Sequence, residues 1–170
     1  MFCKKICTIL ILILLLSNLW AYKNDPEDFR GIKWGAIVDT LDNMEEVFIE
    51  DDLHNYSREN DKMKIGDAEL SSILYIFWDK KFIAVSISGE GLSNFINLKN
   101  AVFKSFGAGF QFNEYIQEYK WGIGKYDNTI IILSYNEISD NFSLFLYDKQ
   151  YWLERDKSKK KKAEDAINDF

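Results

Sequence analysis

Two runs of β-prone residues separated by three polar ones constrain this chain more than any other stretch. Leu70 to Trp78 is rich in β-branched and aromatic side chains, and Phe82 to Ser88 alternates, with Ile83, Val85 and Ile87 on one face. Asp79-Lys80-Lys81 lies between them. Period-2 alternation on either side of a tight polar turn predicts a β-hairpin. The same logic predicts a second hairpin from Thr129 to Asn136 and Phe142 to Tyr147, joined across Glu137 to Asn141. A sheet built from such hairpins has an apolar face that another layer must cover.

The covering layer is written in helical spacing. Phe95, Leu98, Val102 and Phe106 recur on one helical face, Ser93 stands where a cap is needed, and Gly107 supplies a left-handed stop. Ile37, Val38, Leu41 and Met44 predict an earlier, shorter helix. Val47-Phe48-Ile49 inside an acidic stretch reads as a strand that Asn55 to Arg58 continues, and Tyr115 to Trp121 alternates aromatic and polar residues. Helix, strand and hairpin thus recur near 33–88 and 92–148. The expected fold is α+β, a two-layer sandwich of about six antiparallel strands with two helices on one face. Its expected core is Leu41, Ile73, Tyr75, Phe77, Val85, Leu98, Val102, Phe106, Ile131, Leu133, Leu144 and Leu146.

The first 21 residues set the expected compartment. Met1-Phe2-Cys3-Lys4-Lys5 is a basic start, Ile6 to Leu16 is almost wholly apolar, and Ala21 ends a short polar stretch. That is the layout of a secretory signal peptide, so the mature chain is expected to begin near Tyr22, periplasmic or secreted. The alternative is an uncleaved anchor, at the very bottom of spanning length. Cys3 and Cys7 are the only cysteines and leave with the leader, which removes disulfides, thiolate metal sites and cysteine nucleophiles. The organisation expected is a signal peptide over 1–21, one α+β domain over 22–153, and a basic, partly helical or disordered tail over 154–170. Without the leader the chain carries 19 basic and 27 acidic side chains, net −8. Such an acidic body repels phosphate backbones and disfavours nucleic-acid binding.

Phe29-Arg30-Gly31-Ile32-Lys33-Trp34-Gly35 followed by a short amphipathic helix resembles the opening of exported bacterial proteins of unknown function. Asp61-Lys62-Met63-Lys64-Ile65-Gly66 and the closing Asp169-Phe170 fit the same resemblance. The order of helix and sheet is also similar to the β-lactamase inhibitor protein and to the small lipoproteins of outer-membrane assembly. That resemblance implies an extracytoplasmic binding module and not an enzyme. The chain lacks the lipid-bearing cysteine of those lipoproteins, and the resemblance supplies no catalytic residues.

The chemistry-bearing residues form no recognisable constellation. His54 is the single histidine, beside Asp51, Asp52 and Ser57, with no glycine elbow or oxyanion loop; among so many charges it reads as a solvated surface residue. Glu45, Glu46, Glu50, Asp51 and Asp52 are a dense acidic cluster without calcium-loop spacing, explained by charges that keep a strand edge from pairing. Gly122-Ile123-Gly124-Lys125 lacks the spacing of a phosphate loop. No catalytic residue, metal or cofactor is therefore expected. Tyr115, Tyr119 and Trp121 share one strand face, to be weighed either as core or as an exposed surface that grips an envelope protein or glycan. Arg155, Lys157, Lys159, Lys160, Lys161 and Lys162 place six cations in eight residues, a candidate contact for an anionic membrane or for the acidic body of the same chain. The function expected is a non-catalytic exported binding module. The alternatives are a hydrolase using carboxylates such as Glu50 or Asp51, and a peripheral membrane protein held by the tail or leader.

Overall fold

The computed structural model describes residues 22–167. The signal-peptide reading of 1–21 and the Asp169-Phe170 motif lie outside them. After a β-hairpin of β1 (Asp28–Phe29) and β2 (Ile32–Lys33) come β3 (Met44–Glu50), β4 (Leu53–Arg58) and a two-strand excursion, β5 (Lys64–Ile65) and β6 (Ala68–Glu69). Then follow β7 (Ser72–Trp78), β8 (Lys81–Glu90), helix α1 (Leu92–Phe106), β9 (Glu118–Trp121), β10 (Thr129–Asn136), β11 (Asn141–Asp148) and helix α2 (Lys149–Ile167). The main sheet has seven antiparallel strands in the order β3-β4-β7-β8-β11-β10-β9.

Both expected hairpins are present, as β7–β8 and β10–β11. One detail differs. Ile76 pairs with Ala84 and Phe77 with Phe82, so Ile83 is the extra residue of a bulge. The bulge shifts the alternation by one, which puts Phe82 on the same face as Val85 and Ile87 and turns Ile83 to the opposite face. Ten of the twelve expected core residues are buried, with Leu41 and Phe106 packed against them at the margin.

The helices are two, as expected, but differ from expectation in placement. The 37–44 segment is not an α-helix: it makes one 3-10 turn, Val38–Thr40, and leads straight into β3. Its backbone is held alongside the β7–β8 turn, where Gly35 N–H donates to the Phe82 carbonyl, Phe82 N–H to Ala36 and Val38 N–H to Lys80. Those bonds outweigh a helical pattern barely two turns long. The first half therefore supplies four main-sheet strands without an α-helix, and the second supplies α1 and three strands. Helix α1 packs Phe95, Leu98 and Val102 onto the face formed by Ile73, Tyr75, Val85, Ile87, Leu133 and Leu144, among others. Its start is Gly91, whose φ is positive, and not Ser93; Gly107 ends it as expected.

Helix α2 lies on the other face, so the helices do not share one side. Asp148 caps it by accepting from the Tyr151 N–H (3.0 Å), and Tyr151 and Trp152 then pack against Ile76, Ile83, Ala84, Phe145 and Tyr147. The helix runs unbroken through 154–167, the segment read from sequence as a tail. Beyond its reach the same face is polar, with a row of serines across four strands: Ser72 bonds Ser88 and Ser134 bonds Ser143, each at 2.8 Å.

Candidate functional site

The motifs that stood out in the sequence meet in space, and they meet as scaffold. Arg30 and Gly31 both take positive φ and close the tight β1–β2 turn. That turn presents Ile32 to the core and stacks Trp34 on Phe82, with ring centroids 4.9 Å apart. The Arg30 guanidinium pairs with Asp61 and donates to the Lys64 carbonyl (3.0 Å). Tyr75 donates to the other Asp61 oxygen at 2.7 Å. Burial, followed by its bond to Asp61, pushes the Tyr75 hydroxyl well above its usual pKa, so it stays a donor. Arg30, Asp61 and Tyr75 thus lock the N-terminal hairpin to the 60s loop over the sheet.

One group of titratable side chains converges on an open recess. His54 Nδ1 lies 2.9 Å from Glu46 Oε2, and Tyr56 donates to the same oxygen at 2.9 Å. All three project from β3 and β4 into a recess of about 300 Å³ bordered by Val38, Phe77 and the exposed Asp39–Lys80 pair. The bonds from His54 and then Tyr56 hold the Glu46 carboxyl below the ordinary carboxylate range. Asp51 is also held low, by Lys159 first and the neighbouring cations after it. A carboxylate so stabilised is a weak base, and a general acid needs the opposite shift. Among the described residues no three His, Cys, Asp or Glu side chains are grouped to hold a metal ion.

The three aromatics expected on one face are separated. Tyr119 and Trp121 are 7% and 2% exposed and belong to the core, while Tyr115 is 86% exposed in the turn before β9. As an exposed gripping surface, Tyr119 and Trp121 are therefore ruled out. Strand β9 begins only at Glu118, so Tyr115 never enters the alternation. Phe103 of α1 meets both buried rings edge-on, at 5.2 and 5.6 Å, Trp121 Nε1 donates to the Gly107 carbonyl (2.9 Å), and Lys99 donates to the Tyr119 hydroxyl (2.9 Å).

A different aromatic surface stands at this end of the sheet. The loops before and after β9 enclose a cleft of about 690 Å³, lined mainly by Tyr22, Phe110, Lys120, Trp121, Gly122, Ile123 and Asp127. Phe110 pairs its backbone with Lys120 (2.8 and 2.9 Å) and its ring meets Phe112 edge-on at 4.5 Å. The Lys120 ammonium lies 5.4 Å from the Phe112 centroid and 3.1 Å from Glu118. Burial, with the Asp25 charge next, keeps the Tyr22 hydroxyl protonated, donating to Asp25 (3.2 Å). Asp25 also accepts from the Asn128 and Thr129 N–H groups (2.6 and 3.0 Å), fixing this wall to β10. Gly122 has φ +74, and a Cβ there would drive into the Thr129 carbonyl, so only glycine makes the sharp exit from β9. Ile123 in the lining is exposed, as are Phe112, which packs on Phe110, and Tyr126 in the loop after β9. Sequence reasoning passed over Phe110 and Phe112, and weighed Ile123 only within a stretch tested for a phosphate loop. The available signal was two aromatics in a glycine- and asparagine-bearing loop with no period to bury them.

The six cations of 155–162 divide between two environments. Arg155 is buried, its Nε donating to Asp52 (2.7 Å), its terminal nitrogens reaching Asp52 and Asp51 (2.6 and 3.3 Å), and its guanidinium resting over Trp152 (5.5 Å). Lys159 pairs with Asp51. Arg155 and Lys159 thus bind the acidic β3–β4 turn of the same chain and are not a free anionic-surface contact. Lys157, Lys160, Lys161 and Lys162 remain exposed. No helix among the described residues is long and apolar enough to cross a membrane. No family model, no curated protein and no solved structure matches this chain.

Proposed function

We propose that this chain is an exported, non-catalytic binding module that engages an envelope protein or glycan through the cleft at the β9 edge. The observation that carries this reading is the cleft itself. Its volume is that of a ligand pocket, its walls are largely apolar with a few polar groups, Ile123 in its lining is exposed, and exposed Phe112 packs edge-on against the lining ring of Phe110. Exposed aromatics on a rigid scaffold are the anchors from which recognition surfaces draw most of their energy. Export is supported by the basic, apolar and small-residue layout of residues 1–21. The lowered pKa values of the Glu46 and Asp51 carboxyls run against the hydrolase alternative.

The test is affinity capture from envelope extract, including peptidoglycan fragments, with three versions of the protein. Phe112→Ser combined with Ile123→Ser is expected to abolish capture while leaving the melting temperature nearly unchanged, because both side chains are exposed. Replacing Lys160, Lys161 and Lys162 by glutamine is expected to leave capture intact. The opposite pattern, loss with the lysines and retention without the rim, would transfer the function to the end of α2.

A further inference from the structure

We propose that the free edge of β3 receives an extended, cationic peptide segment as an added strand. The sheet treats its two edges differently. At the far end, β9 is only four residues long, and Phe110 occupies its outer side through two backbone hydrogen bonds to Lys120. At the near end, β3 runs for seven residues and pairs only with β4 among the described strands. Its outer backbone N–H and C=O groups face solvent, a template for another strand.

Glu45, Glu46 and Glu50 guard this edge against another acidic strand, as their charge implied in the sequence, but the side chains between them are those of a receptor. Val47, Phe48 and Ile49 are 53%, 44% and 53% exposed, three consecutive large apolar residues where protected edges carry lysine or proline. Register places Phe48 beside Asn55 on the α2 face and Ile49 beside His54 on the other, so an incoming strand finds an apolar neighbour above and below. Val47 is the extra residue of a bulge between Glu46 and Phe48. A bulge twists the edge and limits addition to one short segment, which disfavours an open-ended stack.

Charge selects the occupant. Glu45 and Glu50 flank the apolar triplet, and no cation of the described chain engages them, whereas Glu46 is bonded to His54 and Asp51 to Lys159. Antiparallel pairing of two β3 strands would set Glu45 of each against Glu50 of the other, like charges that no cation among the described residues engages. A second copy is disfavoured on that ground. A segment with a β-branched centre and lysine or arginine at both ends places a cation opposite each acidic end and an apolar residue opposite Phe48 and Ile49. This edge is independent of the cleft at β9, at the other end of the sheet.

The probe is a capped nonapeptide, Lys-Lys-Thr-Val-Val-Val-Thr-Lys-Lys, titrated into the purified protein while amide exchange is followed residue by residue. The expected result is at least tenfold slower exchange for β3 amides, with β9 amides unchanged. A peptide with proline at its centre, equally charged but without the central donor, is expected to give no protection. Val47→Lys with Ile49→Lys should abolish the effect while the β4 and β7 amides keep their native protection. Binding without β3 protection, equal protection by the proline peptide, or no binding at millimolar peptide overturns the proposal. Protection of β3 that rises with protein concentration alone also overturns it, in favour of self-pairing.

Discussion

Helices α1 and α2 cover opposite faces of one sheet by opposite means. Helix α1 is fastened by apolar burial: Phe95, Leu98 and Val102 enter a continuous core that runs from Ile32 to Leu146. Helix α2 is largely polar, anchored at its start by Tyr151 and Trp152 and at its middle by Arg155, and its last turns are exposed. A stripe of large apolar residues resists removal from water at every turn, whereas an anchored polar helix depends on a few directional contacts near one end. The difference teaches that one helix is part of the folding unit and the other is docked onto it.

The largest expected effect breaks the first kind of attachment. Leu98 has no solvent exposure, and Leu98→Ala leaves a void under α1 that the surrounding rings fill only in part. The expected cost is about 3 kcal/mol, read as a cooperative fall in the denaturant midpoint that every probe reports together. Unequal shifts, with α1 unfolding ahead of the sheet, would show that α1 is not part of the folding unit. The next effect breaks the second kind. Arg155→Met keeps an apolar stem against Trp152 but strands Asp52, half-enclosed by the turn and α2. The expected cost is about 2 kcal/mol, less than for a fully enclosed pair because the turn is partly wet. Its signature is local: exchange of α2 amides accelerates while β7 and β8 amides keep nearly native protection. Uniform acceleration across the sheet would place α2 inside the folding unit and erase the contrast. Arg155→Lys is expected to fall between, since a lysine supplies charge without the fork that reaches both carboxylates.

The same contrast explains what could be read from the sequence. Apolar period and turn residues are local signals, so the β7–β8 and β10–β11 hairpins, α1 and its Gly107 stop were legible, along with most of the core. Helix α2 was not, because beyond Tyr151 and Trp152 it is held by Arg155 and Lys159 meeting aspartates about a hundred residues earlier, and lysine-rich polar stretches read as tails. The 37–44 segment misled for the converse reason: its four apolar residues imitate a helix, but backbone partners at 80–82 claim it for an extended path. The cleft at β9 was half legible. Trp121 and the Gly122–Lys125 stretch drew attention, but Trp121 proved to be a buried part of its lining, and nothing local distinguishes a buried ring from an exposed one.

Acid provides the smallest and sharpest test of how α2 is docked. Asp51 faces Lys159, Arg155 and Lys162, and these cations hold its carboxyl below the usual range. A folded-state pKa lower than the unfolded one means the contact contributes fully above the unfolded value, near pH 4, and is lost as pH falls through the folded one. Acidification below about pH 4 should therefore loosen the middle of α2 before the sheet responds. Residue-resolved exchange of α2 amides between pH 6 and pH 3, corrected for the intrinsic rate, measures this directly. Asp51→Asn should remove most of the acid dependence and resemble the wild type at low pH throughout. High salt at pH 6 should imitate acid in part, because Asp51 and Lys159 are both exposed enough for counterions to screen them. An acid response unchanged in Asp51→Asn would show that the Asp51 contacts do not hold α2, whose docking would then rest on Arg155, Asp52 and the Trp152 ring.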